Sequence, residues 1–79
     1  MDYQEVLDNQ FGGTKGASFI LKNLNDKMMS YNNSGRKTWE RIIGQYFKDN
    51  QATSFEELIE KNPESFFTLA RQISGLLPK

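Results

Sequence analysis

The sequence contains no cysteine and no histidine. That excludes a disulfide framework, a thiol nucleophile, an imidazole base and the usual zinc ligand sets. Only two prolines interrupt it, and no apolar run approaches the ~20 residues of a membrane span. The first residues show no charged-then-apolar leader, so the expectation is a cytoplasmic protein, in a host cell if viral, that does not enter a membrane. A chain of 79 residues forms one domain and buries only about 60% of its unfolded surface. So little core leaves no room for a large substrate cavity within one copy.

Net charge is absent as well: ten basic side chains balance ten acidic ones. The zero hides a strong asymmetry. Residues 1–14 carry Asp2, Glu5 and Asp8, a balance of −3. Residues 15–48 carry Lys15, Lys22, Lys27, Arg36, Lys37, Arg41 and Lys48 against Asp26 and Glu40, a balance of +5. Residues 49–64 carry Asp49, Glu56, Glu57, Glu60 and Glu64 against Lys61, a balance of −4, and Arg71 and Lys79 restore neutrality. A basic centre between acidic flanks has three readings: solvated helix faces, a nucleic-acid surface, or basic and acidic faces that meet between copies.

Hydrophobic periodicity predicts helices throughout. Tyr3, Val6 and Leu7 share one side of a short helix over 2–10. Phe11 then leads into Gly12-Gly13-Thr14-Lys15-Gly16, which reads as a loop, a flexible basic arm or a hinge. Ser18 is placed to cap a helix over 18–31, with Ile20, Leu24 and Met28 four residues apart and Leu21 beside them. In the helix over 36–49, Trp39, Ile42, Ile43, Tyr46 and Phe47 make a continuous apolar stripe. Gly44 lies next to that stripe at a cost of about 1 kcal/mol relative to alanine, a spacing that would let another helix approach. Ser54 and Glu57 form a capping box that starts a helix over 55–61. Asn62-Pro63 stops it and opens the last helix, 63–77, whose stripe is Phe66, Phe67, Ala70, Ile73 and Leu77.

No segment alternates with period two, so the expected fold class is all-α: a small bundle of four to five short helices. Its 1–17 portion would be an N-terminal helix and glycine-rich arm, and 18–79 the helical core. The C-terminal pair, 55–61 and 63–77, has helix-turn-helix proportions, which would turn Glu64, Ser65, Thr68, Arg71 and Gln72 toward a major groove.

The chemistry available points away from an enzyme, with no catalytic residue, metal or cofactor expected. Glu56, Glu57, Glu60 and Glu64 lack the spacing of a cation loop, and the glycine segment lacks the order of a phosphate-binding loop. Basic residues are the better functional signal. Lys15, Lys22, Arg36, Lys37, Arg41 and Lys48 are the candidates for contacts to DNA phosphates. Most aromatics sit at core spacing. Phe11, Phe19, Met29 and Tyr31 do not, and they are the candidate interface with another copy or another protein.

The run from Phe55 to Lys79 has an acidic helix, Asn62-Pro63, the aromatic pair Phe66-Phe67, an apolar helix and a closing Leu77-Pro78-Lys79. It resembles the end of short phage proteins of the small-terminase type. Gly12-Gly13-Thr14-Lys15-Gly16 is similar to the Gly-Arg-Pro-Lys-Gly arm of that family, with Gly13-Thr14 standing where it has Arg-Pro. The resemblance covers 12–17 and 54–79. It implies a non-enzymatic DNA-packaging accessory that binds double-stranded DNA as a homo-oligomeric ring and recruits a large ATPase–nuclease terminase subunit. The alternative is a small helical protein–protein interaction module, a viral or regulatory adaptor, that never touches DNA.

Overall fold

A computed structural model describes residues 1–79 as five helices with no strand. They are α1 (Tyr3–Gln10), α2 (Gly13–Met29), α3 (Ser34–Asp49), α4 (Phe55–Lys61) and α5 (Glu64–Leu76). The all-α bundle expected from periodicity is therefore present. Of the loop, arm and hinge readings of the glycine segment, the structure has the plain interhelical connection. Helix α2 begins five residues before Ser18, and only Phe11 and Gly12 connect it to α1.

The glycines explain the difference. Gly12 and Gly13 both take positive φ, 75° and 73°, a region that glycine enters without steric cost. The chain reverses there and turns into helix at once, with the Gly16 N–H donating to the Gly12 carbonyl at 3.2 Å. Gly16 then lets the corner close: a Cβ at that position would lie 1.9 Å from the Phe11 carbonyl oxygen. The segment that reads as an arm or hinge is a tight corner between two packed helices. Residues 1–17 and 18–79 consequently share one core.

Helix α2 packs against all four other helices. Its buried side runs through Ala17, Leu21 and Met28, with half-buried Leu24 between them. Leu21, Leu24 and Met28 lie in the stripe as expected, but Ala17 takes the place of Ile20, which is left 37% exposed. The earlier start of the helix brings Ala17 into the stripe. Around α2 gather Leu7 of α1, Trp39 of α3, Leu58 and Ile59 of α4, and Phe66, Leu69 and Ile73 of α5. Trp39 is fully buried, and its indole N–H donates to Asn25 Oδ1 at 2.8 Å. Burial of an unpaired donor would cost about 1–3 kcal/mol, so this bond fixes how α3 is rotated against α2.

A second cluster of aromatics closes the base of α5. Phe11 packs on Phe66 and Phe67 at centroid distances of 4.9 and 5.8 Å, and Tyr3 meets Phe67 at 5.6 Å. Phe11, expected at an interface, belongs to this core. The reason is the corner at Gly12, which swings it back over α5 instead of outward.

Helix ends follow local chemistry. Ser54 Oγ accepts from the Glu57 N–H at 3.1 Å, while the Glu57 carboxylate accepts from the Thr53 N–H at 2.6 Å. The capping box is thus formed with its return bond one residue upstream. Pro63 already has helical φ and ψ, and the Asn62 carbonyl accepts from both the N–H and the hydroxyl of Ser65. Helix α3 ends in a Schellman arrangement, with the Ala52 N–H on the Phe47 carbonyl at 2.9 Å and the Gln51 N–H on that of Lys48 at 3.2 Å. The left-handed position, usually glycine, is Gln51 at φ 52°.

Two substitutions test these backbone readings in opposite directions. Gly16→Ala is expected to lower stability by about 1–3 kcal/mol, because the corner cannot accept a methyl group. Gln51→Gly is expected to raise it by about 1 kcal/mol, by relieving the left-handed residue. Urea unfolding of the two variants against the parent measures both.

Candidate nucleic-acid interface

The rotation of α3 fixed by Trp39 decides which side chains face solvent. Trp39, Ile42, Ile43, Tyr46 and Phe47 turn inward. Opposite them, Lys37, Arg41, Gly44 and Lys48 follow one another at steps of four, three and four residues, and all four are exposed. Residues at this spacing form one row along a helix. At about 1.5 Å per residue the row is about 16 Å long. None of its three cations has a carboxylate within ion-pair distance, for the ion pairs present are Arg36–Glu40 and Lys61–Glu57.

Gly44 is the unusual member. A Cβ there would meet no atom within 4 Å, so no neighbouring helix uses the space that the sequence pattern suggests. Its backbone is not in the left-handed region either. Neither packing nor conformation requires a glycine at this point, yet it costs the helix about 1 kcal/mol relative to alanine.

Arg36 does not belong to the row. Its Nε donates to Glu40 Oε1 at 3.0 Å, and one terminal nitrogen donates to the Tyr31 carbonyl at 3.1 Å and to that of Met29 at 3.5 Å. Helix α2 ends at Met29, so the guanidinium satisfies carbonyls around the end of α2 and ties them to the first turn of α3. Sequence counting treats Arg36 as equal to Lys37, but the structure distinguishes them. The signal was present in Glu40, four residues on.

The other basic candidates lie on α2. Lys15 and Lys22 are exposed. Lys22 opens onto a shallow groove of about 400 Å³ between α2, α3 and the start of α4. Asp26 and Glu56 line the same groove, which therefore carries both signs of charge. Lys27, not among the candidates, is also exposed. A second groove, about 440 Å³, lies between α3 and α5 and is lined by Arg41, Ile42, Gln45, Tyr46, Asp49 and Gln72. Gln45 there donates to Asp49 Oδ1 at 2.7 Å.

The C-terminal pair supplies a weaker surface. Of its expected groove-facing residues, Ser65 is only 1% exposed and bonds the Asn62 carbonyl, so it cannot reach a ligand. Thr68 is half-buried, while Glu64, Arg71 and Gln72 are exposed, one acid against one base. The acidic side chains of α4 do not converge either: nowhere do three carboxylates come together to hold a metal ion.

Among the expected interface residues, Phe19 is 66% and Met29 39% exposed. Tyr31 is half-buried, and its carbonyl holds Arg36. Ile20, which the buried stripe leaves outside, joins Phe19 as exposed apolar surface on α2. Sequence reading assigned Ile20 to the core because spacing alone cannot fix the rotation of a helix with apolar residues on several sides.

No family model matches this chain, and no match appears among the curated proteins or the solved structures.

The two classes of cation are separable by stability. Arg36→Ala is expected to cost about 1–2 kcal/mol, since it frees carbonyls and breaks the Glu40 pair. Lys37→Ala and Lys48→Ala are expected to stay within about 0.5 kcal/mol of the parent. Thermal unfolding of the three variants decides.

Proposed function

We propose that this chain is a non-enzymatic protein that binds double-stranded DNA through the outward face of α3. The observation that carries the reading is the row Lys37, Arg41 and Lys48, three exposed cations without an acidic partner on a chain whose net charge is zero. The exposed side of α3 also carries Glu40 and Asp49, but Glu40 is engaged by Arg36 and Asp49 by Gln45, which leaves the three cations uncompensated. The cations would neutralise phosphates and release counterions, which gives affinity without demanding sequence. Lys15 and Lys22 on α2 are exposed as well, Lys22 beside Asp26 and Glu56, and Arg36 acts through the fold.

Within the same proposal the protein works as a homo-oligomer, because three phosphate contacts per copy give weak binding alone. Phe19, Ile20 and Met29 are the exposed apolar side chains on hand for contacts between copies. A packaging role beside a large terminase subunit rests on the resemblance at 54–79. The part of that resemblance at 12–17 supports no DNA-binding arm, since those residues form the corner and first turns of α2.

One observation favours the interaction-module reading instead: Phe19, at 66% exposure, is large apolar surface on a small protein. The two readings part on salt. Binding of labelled duplex DNA is expected to weaken with a slope of about −2.7 in log affinity per log salt for each copy engaged, from three contacts at about 0.9 each. Replacing Lys37, Arg41 and Lys48 together by glutamate is expected to abolish it. Duplex binding unaffected by that triple change, or none by the parent chain, overturns the DNA reading. Light scattering tests assembly separately: the parent is expected to exceed the 9.1 kDa of one chain, and Phe19→Lys to return it toward that mass.

A further inference from the structure

The row on α3 contains one residue that neither charge nor folding accounts for. We infer that Gly44 marks where a DNA strand lies directly against the backbone of α3, so that the phosphodiester chain crosses the helix at this glycine. This inference rests on the DNA reading of α3 and adds the mode of approach.

Three observations converge on it. Gly44 lies within the row, three residues after Arg41 and four before Lys48, with Lys37 two turns behind. It is exposed, and a Cβ would meet nothing within 4 Å. Its backbone is ordinary helix rather than left-handed. A glycine in mid-helix weakens the helix, and its remaining use is to let something approach the main chain closely. No part of this chain approaches it, which is equally true of exposed Gly75 on α5, and what sets Gly44 apart is the cations beside it. Glu40, one turn before it, is neutralised by Arg36, and the unpaired cations Arg41 and Lys48 on either side define the occupant's chemistry as a polyanion. Arg41 and Lys48, whose flexible stems flank the gap, would close on phosphates to each side of the crossing point. A bulky side chain at 44 would hold the strand away and lengthen both contacts. The row is about 16 Å long, enough to bridge the roughly 12 Å width of a major groove. Lys37 then reaches the far phosphates of the same duplex.

The test separates this inference from the reading beneath it. Duplex DNA binding at fixed salt is measured for the parent, Gly44→Ala, Gly44→Gln and the triple glutamate variant, with melting temperature taken alongside. Gly44→Ala is expected to melt higher than the parent, because nothing opposes the added methyl group and the helix gains propensity. Gly44→Gln is expected to melt no lower than the parent and to bind at least tenfold more weakly. If Gly44→Gln binds as the parent does while the triple variant has lost binding, the DNA reading survives and the close approach at Gly44 is overturned. A parent chain that binds no duplex, or a triple variant that binds normally, overturns both. Loss of binding by Gly44→Gln in step with a fall in melting temperature places the glycine in the fold and overturns the inference.

Discussion

The hydrogen bond from the Trp39 indole to Asn25 governs more of this molecule than its single distance suggests. A fully buried indole must have its N–H satisfied, and Asn25 on α2 is the group that does so. Once that bond is made, α3 has one rotation about its axis relative to α2. The rotation places Ile42, Ile43, Tyr46 and Phe47 against the other helices. It also places Lys37, Arg41, Gly44 and Lys48 on the opposite side. The charged face is therefore a consequence of how the core is satisfied, and the chemistry of the surface depends on a polar contact near its centre.

Much of the fold was legible because its signals are local. The spacing of Trp39 to Phe47, the Ser54–Glu57 box and the Asn62-Pro63 break each act within a few residues, so α3, α4 and α5 fall within two residues of where periodicity puts them. Helix α1 falls within one residue of its expected place, but the glycine segment after it stayed open among loop, arm and hinge for an equally physical reason. Glycine signals conformational freedom, and that freedom serves a flexible arm and a tight corner alike. Only the distance from Gly16 to the Phe11 carbonyl distinguishes the two, and it is a tertiary quantity. The same holds for α2, where Ile20 and Ala17 compete for the buried stripe and the start of the helix decides.

The site was legible in part. Its cations are visible as a charge block, but a block of charge has no direction. Folding divides the six candidates into Arg36, occupied by carbonyls and Glu40, Lys22, which shares a groove with two acids, exposed Lys15, and the unpaired set on α3. Gly44 was visible in sequence as an anomaly, and its meaning reversed once its surroundings were known: the space beside it faces outward.

The position of α2 has a consequence for how the chain comes into being. This helix is made before α4 and α5, which cover much of it. Its apolar stripe is not fully sheltered until α5 has left the ribosome. During that interval α1 and α3 are the cover near at hand. Completion of the core thereby waits on α5, and a nascent chain still lacking α4 and α5 would present parts of Leu21, Leu24 and Met28 to whatever lies nearby.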